Sequence, residues 1–315
     1  MLKNDEKRGR VGMDRKIWRI AVLILLIIVF AGAAGYTSWL QAGIRSAASG
    51  EDEGGAAMQQ DEPGPESDAY ILSKGDYSNL AEELTDVSRP VYDRYTLSQR
   101  REKGLPTVLP PLAVYNKEKV AYLTFDDGPD HKNTPAILDI LKNNGIHATF
   151  YVTGRMCEKN PDILRRIFQE GHAIGNHSYD HDYKTLYQSK DHFMAELEQT
   201  DEVIFRLIGV RPFIVRAPGG TTGMFSADFY PALTEAGYVE HDWNVSSEDA
   251  TPKRPNAAQQ IRFVDQMTNG KNTALILMHC CGGKEQTVKA LQGIIDLLRA
   301  KGYRFGVVTP ITPHP

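Results

Sequence analysis

Cysteine is scarce in this chain, three residues in 315, with Cys280 and Cys281 adjacent and Cys157 alone. So few thiols exclude a disulfide-built scaffold, and the lack of a Cys-x-x-Cys pair excludes a thiolate zinc module. The three read as small buried side chains, with a bridge between Cys157 and Cys281 in an oxidising compartment as the alternative. An excess of basic charge is lacking as well: 36 Lys and Arg stand against 40 Asp and Glu, a formal net charge of −4. A general nucleic-acid binder would be basic, so no nucleic-acid partner is expected. Neither HExxH nor a phosphate-cradling glycine loop occurs, which sets aside a protease of that type and a phosphatase.

Charge is also missing locally. Residues 20–44 carry none, and their dense part reads IAVLILLIIVF. A spanning helix needs roughly 20 mostly apolar residues, so the run is long enough to be a transmembrane signal anchor. Residues 1–19 hold seven basic side chains against three acids (Asp5, Glu6 and Asp14), which places that segment in the cytoplasm and everything after the span outside. The small-x-small sequence ending at Ala33 is the rival reading, a cleaved signal peptide, which would release a secreted protein. Residues 46–73 hold seven acids and no Lys or Arg; the segment 45–73 reads as an acidic flexible linker. Residues 74–115, broken by Pro106, Pro110 and Pro111, read as a stalk packed partly on the domain that follows at 116–315.

Within 116–315 short apolar runs alternate with amphipathic stretches. The runs fall at 120–125, 148–152, 173–175, 213–215, 238–239, 274–278 and 305–308. Helical patterns lie between them, at 134–144 with Thr134 and Pro135 in front and Gly145 behind, and at 161–170 after Asn160 and before Gly171. Further helices fit 191–208, 226–236, 256–267 and 286–301. The fold class is therefore α/β, about seven parallel strands covered by helices. Periodicity fits a (β/α) barrel and an open doubly wound sheet equally. In both, functional side chains stand at the carboxyl ends of strands. Asp126 and Asp127 follow the first run, His177 the third, Arg216 the fourth and His279 the sixth.

Two adjacent acids between an apolar strand and a Gly-Pro turn would repel each other without a counter-charge, and a cation supplies one. His177 and His181, at i and i+4 on a helical turn, would point the same way and share one metal. Two imidazoles and a carboxylate hold three positions on a divalent ion and leave the rest for water and substrate.

The motifs TFDDGP, HSYDH, RAPGG, WNVSSEDA and LILMH resemble, in order and spacing, those of the polysaccharide deacetylases of carbohydrate esterase family four. The likeness runs from about Lys119 to Pro310, so 116–315 would be the catalytic domain of that family, a distorted (β/α) barrel. It implies that Asp127, His177 and His181 ligate one divalent metal, zinc first, with cobalt, manganese or nickel as alternatives. It implies that Asp126 is the general base acting on the attacking water, oriented and charge-balanced by Arg216. His279 would be the general acid, tuned by Asp249. The chemistry suits those roles, because an amide nitrogen leaves only once protonated and an imidazole titrates near neutrality.

Two positions depart from the family pattern: Gly219, whose backbone N–H would face the oxyanion, stands where a bulkier residue is usual, and Ala250 where a Trp is common. Leu277 and Trp243 are the candidates to line the acetyl pocket instead. The expected substrate is an N-acetylated glycan, peptidoglycan N-acetylglucosamine first; alternatives are chitooligosaccharide or xylan, losing O- or N-acetyl groups, and a surface glycan-binding protein that has lost catalysis. The expected location is the cell membrane, single-pass, with an extracellular catalytic domain.

Overall fold

In the computed structural model of the chain, residues 69–72, 75–115 and 118–314 are described. The basic segment 1–19, the span at 20–44 and most of the 45–73 linker lie outside them. Among the described residues no helix is long and apolar enough to cross a membrane.

The strands among the described residues are β1 (Tyr70–Ile71), β2 (Val91–Asp93), β3 (Val120–Gly128), β4 (Thr149–Val152), β5 (Ala173–Asn176), β6 (Arg211–Pro212), β7 (Ile214–Val215), β8 (Val239–Glu240), β9 (Val245–Ser246), β10 (Thr273–His279) and β11 (Arg304–Gly306). The main sheet runs β8-β7-β5-β4-β3-β10-β9, with every pairing parallel. β3 pairs with β11 through Val120 to Tyr122 and with β4 only from Thr124 onward, so the sheet curls around β3. β8 and β9 end the path without pairing. The result is a curled half-barrel of seven parallel strands with β11 beside it, between the closed barrel and the open sheet that periodicity allowed.

Alternation along the strands decides what faces inward. Ala121, Leu123 and Phe125 of β3, Phe150 and Val152 of β4, and Ala274, Ile276 and Met278 of β10 join one core with Leu138, Leu164, Ile204 and Ile294 from the covering helices. The intervening Tyr122, Tyr151 and Leu275 form a second cluster inside the curl with Ile214 and Val307. Both faces are buried, which is why these strands read as nearly continuous apolar runs. The inward parity carries on past the core to Thr124, Asp126, Leu277 and His279.

The helices follow their capping signals. Asn133–Asn144 stops at left-handed Gly145, and Lys190–Ile208 starts at Ser189, whose hydroxyl accepts the His192 N–H, and stops at left-handed Gly209. Ala257–Met267 begins with a full Asn256–Gln259 capping box. Short elements escaped the sequence reading: β9, and the helices Gly154–Lys159 and Tyr183–Leu186. So did the small sheet β1-β2-β6, whose β1 falls inside the stretch read as linker.

The described residues all belong to one compact unit. Leu72, Tyr77, Leu80, Leu84 and Val91 from the segment read as linker and stalk pack with Phe213 and Ile311. A buried ion network reinforces that seam. Asp93 Oδ1 accepts from Arg100 at 2.9 Å, and Arg211 lies 3.7 Å from the Asp93 carboxylate while donating to Asp201 at 2.8 Å. Asp201 also accepts from Asn176 at 2.7 Å and from the Tyr238 hydroxyl at 2.7 Å. Asn176 immediately precedes His177, so the network ends beside the site.

Candidate active site

Asp126 points into the curl and meets Arg216, which enters from the end of β7. One guanidinium nitrogen donates to Asp126 Oδ1 at 2.9 Å and to Thr124 Oγ1 at 2.6 Å. The other nitrogens donate to the backbone carbonyls of His241 and Asp242 at 2.8 and 3.1 Å. The planar group lies over the Tyr151 ring, 4.1 Å from its centroid. Arg216 is fully buried; burial disfavours its charge, but the Asp126 carboxylate outweighs that and raises its pKa. A buried charge pair with its remaining donors satisfied is one that holds its geometry.

Asp127 leaves the ladder. The β3–β4 register steps from Asp126↔Tyr151 to Gly128↔Val152, so Asp127 is a bulge residue, with left-handed φ of 71°. A bulge re-aims a side chain; here it sends two consecutive carboxylates to different partners. Asp127 Oδ1 lies 3.2 Å from His181 Nε2 and 3.5 Å from His177 Nε2.

The two histidines do not sit on a helical turn, as their spacing suggested. They flank a loop after β5, with Ser178 at φ 66° and His181 at φ 61°. Side chains pin it: Asn176 Oδ1 accepts the Ser178 N–H, Ser178 Oγ accepts the His181 N–H, and Glu196 accepts the Tyr179 N–H. The left-handed residues turn the chain back, and the rings stand 5.1 Å apart.

Donor atoms of Asp127, His177 and His181 all lie within 4.8 Å of one another. His177 Nδ1 is 2.8 Å from the Arg216 carbonyl. A carbonyl only accepts, so Nδ1 carries a proton and Nε2 is the ring nitrogen turned toward Asp127. Burial would raise the Asp127 pKa, but His177, His279 and His181 hold it well below the usual carboxylate range. Burial, with His177 beside it, lowers that of His181. The set is a carboxylate held ionised beside two imidazoles, the donor types that take a divalent ion. Asp127 Oδ1 is buried without a hydrogen-bond partner. Two imidazole nitrogens set around an orphaned carboxylate oxygen fit a cation.

Opposite stands His279, paired in register with Asp126 across β10 and β3. Its Nδ1 meets Asp249 Oδ1 at 2.8 Å, leaving Nε2 for the site. Asp249 Oδ2 accepts the His279 backbone N–H and the Thr287 hydroxyl, each at 2.8 Å. Burial would lower the His279 pKa, but Asp249, with Asp126 and Asp127 behind it, raises it overall.

Gly219 has φ 76°, and a Cβ there would lie 2.7 Å from Tyr183 Cε1. Tyr183 therefore occupies the space a side chain at 219 would take, edge-on to His181 with centroids 5.1 Å apart. Trp243 closes on Gly220, where a Cβ would meet its ring at 3.1 Å. Leu277 shares the inward face of β10 with His279 and is 9% exposed. Ala250 is exposed at the mouth of a neighbouring cleft. The thiols correct one expectation: all three are free, Cys157 and Cys280 are buried, but Cys281 is half-exposed, 3.6 Å from Asp127 Oδ2. Every site residue expected from the sequence stands at this end of the curl. Asn176, expected from its place before His177 to shape the loop and not to act in catalysis, does pin it; those not anticipated are Thr124, Thr287 and Tyr183, of which only Tyr183, just after His181, carried a positional hint.

Known proteins are similar to this chain. The family model described as polysaccharide deacetylase matches residues 113–241. A peptidoglycan-N-acetylglucosamine deacetylase of Bacillus cereus is 38% identical over 193 residues, 61% of this chain and 67% of that protein. A second Bacillus cereus protein of the same description is 31% identical over 212 residues, 67% of this chain and 96% of its own length. Among solved structures, the catalytic domain of a peptidoglycan N-acetylglucosamine deacetylase from Eubacterium rectale superposes with a TM-score of 0.58 at 33% identity, covering 65% of this chain and 95% of that one.

Proposed function

This chain belongs to the polysaccharide deacetylase family, and we propose that it hydrolyses N-acetyl groups from the N-acetylglucosamine of peptidoglycan. The observation that carries this reading is the meeting, at one end of the half-barrel, of a three-donor metal set (Asp127, His177, His181) with two separately supported proton carriers. The substrate named by the relatives is the second support.

Asp127, His177 and His181 would hold one divalent ion, zinc first, with cobalt, manganese or nickel as alternatives. Such an ion, when bound, polarises the acetamide carbonyl and makes water acidic enough to attack near neutral pH. Asp126, held by Arg216 apart from the three metal donors, takes the proton of the attacking water as its oxygen joins the carbonyl carbon. The backbone N–H of Gly219 faces the developing oxyanion, and Leu277 and Trp243 border the acetyl group. His279 delivers its Nε2 proton to the amide nitrogen; the C–N bond breaks, leaving acetate and the glucosamine amine. Asp249 is a positioning residue that fixes the His279 ring.

The decisive experiment is acetate release by the full chain, reconstituted with each metal in turn, from peptidoglycan, chitooligosaccharide and acetylated xylan. Peptidoglycan should be preferred and exhaustive chelation should stop the reaction; release that survives chelation would remove the metal from the mechanism. We further propose that residues 20–44 anchor the enzyme with its catalytic domain outside the cell, a reading supported by the uncharged run and its basic flank. Resistance to alkaline carbonate extraction tests the anchor. Recovery of a protein beginning just after Ala33 in the medium would replace it with a cleaved signal.

A further inference from the structure

Asp249 and Thr287, which support His279, also line a cleft of about 320 Å³ that the reaction does not use. Its exposed charge is basic. Arg254 is exposed, and no carboxylate stands within ion-pair distance of it among the described residues. Lys284 donates only to the Asp249 backbone carbonyl, at 3.0 Å. Asp249 answers the charge of Lys284, but its side chain is 2% exposed and both oxygens are engaged by His279 and Thr287, so Arg254 is left as the exposed, unanswered cation.

Two further features aim at the same space. The helix Glu285–Ala300, sixteen residues long, begins at the cleft, and its N-cap residue Lys284 supplies no side-chain acceptor, so the positive end of the helix faces the opening. Gln260 lines the wall, is 1% exposed, donates through Nε2 to the Pro255 carbonyl, and leaves its buried Oε1 without a partner. An orphaned buried acceptor calls for a donor. The cleft thus offers positive charge to an anion and an acceptor to an adjacent N–H or O–H, and the small side chain of Ala250 leaves its mouth open.

We propose that this cleft is a subsite for a carboxylate carried by the glycan next to the reacting sugar, which makes acidic glycan the preferred substrate over uncharged N-acetylglucosamine polymer. The inference rests on the deacetylase reading above. Uncharged chitooligosaccharide supplies the donors without the anion. A peptidoglycan strand supplies both, from the lactyl ether acid of the neighbouring sugar or from its stem peptide.

The test measures KM and kcat for acetate release from three glycans of equal length: peptide-bearing, stripped of peptide but retaining the lactyl carboxylate, and uncharged chitooligosaccharide. Wild type should show the lower KM for the acidic glycans. Arg254→Glu, at an exposed position, should raise that KM about tenfold or more, the scale of one lost charge-assisted hydrogen bond, with kcat and the chitooligosaccharide KM unchanged; Arg254→Gln should fall between. An effect confined to the peptide-bearing arm assigns the anion to the peptide, and one in both acidic arms assigns it to the lactyl group. Equal KM shifts for all three glycans, or none, overturn the subsite. Wild type that releases no acetate from any glycan refutes the deacetylase reading instead.

Discussion

Asp249→Asn changes one atom of a buried pair and should move a pH limb rather than merely lower a rate. The Asp249 carboxylate meets His279 Nδ1 at 2.8 Å, with the two side chains 2% and 13% exposed. That contact is the main influence raising the His279 pKa against the opposing effect of burial. A general acid must be protonated, so activity persists while His279 holds its proton and falls as pH rises through its pKa. Because the folded site raises that pKa, the alkaline limb of wild type stands higher than an unassisted imidazole would allow. Removing the carboxylate charge forfeits a charge-assisted hydrogen bond, ~1.5–3 kcal/mol. At ~1.4 kcal/mol per pH unit, the alkaline limb of kcat should move down by about one to two units. Thr287 and the His279 backbone N–H still hold residue 249 in place, so metal content and fold should be preserved. The assay is acetate release across pH at saturating substrate, with metal content measured in the same samples. A limb that stays put while the plateau falls would show that Asp249 only fixes the ring, and an upward move would refute the electrostatic reasoning.

Three other perturbations separate the remaining roles. Asp126→Asn keeps an acceptor for Arg216 and should retain stoichiometric metal while kcat drops by ~10²–10⁴; near wild-type release from a metal-loaded variant would take the base role from Asp126. His177→Ala strips one of the three donors and should leave the dialysed protein without stoichiometric metal by elemental analysis, and a full complement of tightly held ion would break up the ligand set. Asp93→Ala removes the carboxylate between two fully buried guanidiniums, Arg100 and Arg211. Leaving the buried Arg100 without its carboxylate, while Arg211 keeps Asp201, costs about 3–5 kcal/mol, to be read as a lower denaturant midpoint; an unchanged midpoint would mean that the 75–115 segment adds nothing through this network.

The chemistry was legible because parallel strands deliver their carboxyl ends to one rim. Knowing only that Asp126, His177, Arg216 and His279 each follow an apolar run was enough to bring them together. The part that stayed hidden was local. No periodicity announces the bulge at Asp127, yet that extra residue is what lets neighbouring carboxylates serve a guanidinium and a metal set. The helical turn expected for His177 and His181 failed for a related reason: left-handed backbone at Ser178 and His181 folds the loop more tightly than a helix would. Long-range compensation was equally silent. Arg100 and Asp93 sit in the stretch read as a stalk packed partly on the domain, and only the fold shows them buried and paired there.

Gly219 and Tyr183 make the same point at the rim. The glycine stands where a bulkier residue is usual, and the space is taken by a ring that follows His181 by two residues. Because that ring packs on a residue of the metal set, any change at 219 would be felt by His181 as well as by the substrate. The departures from the family pattern at 219 and 250 are therefore of different kinds. One is refilled from within the chain, and the other stays open onto a basic cleft, so it is at Ala250 that the choice of glycan is more exposed to change.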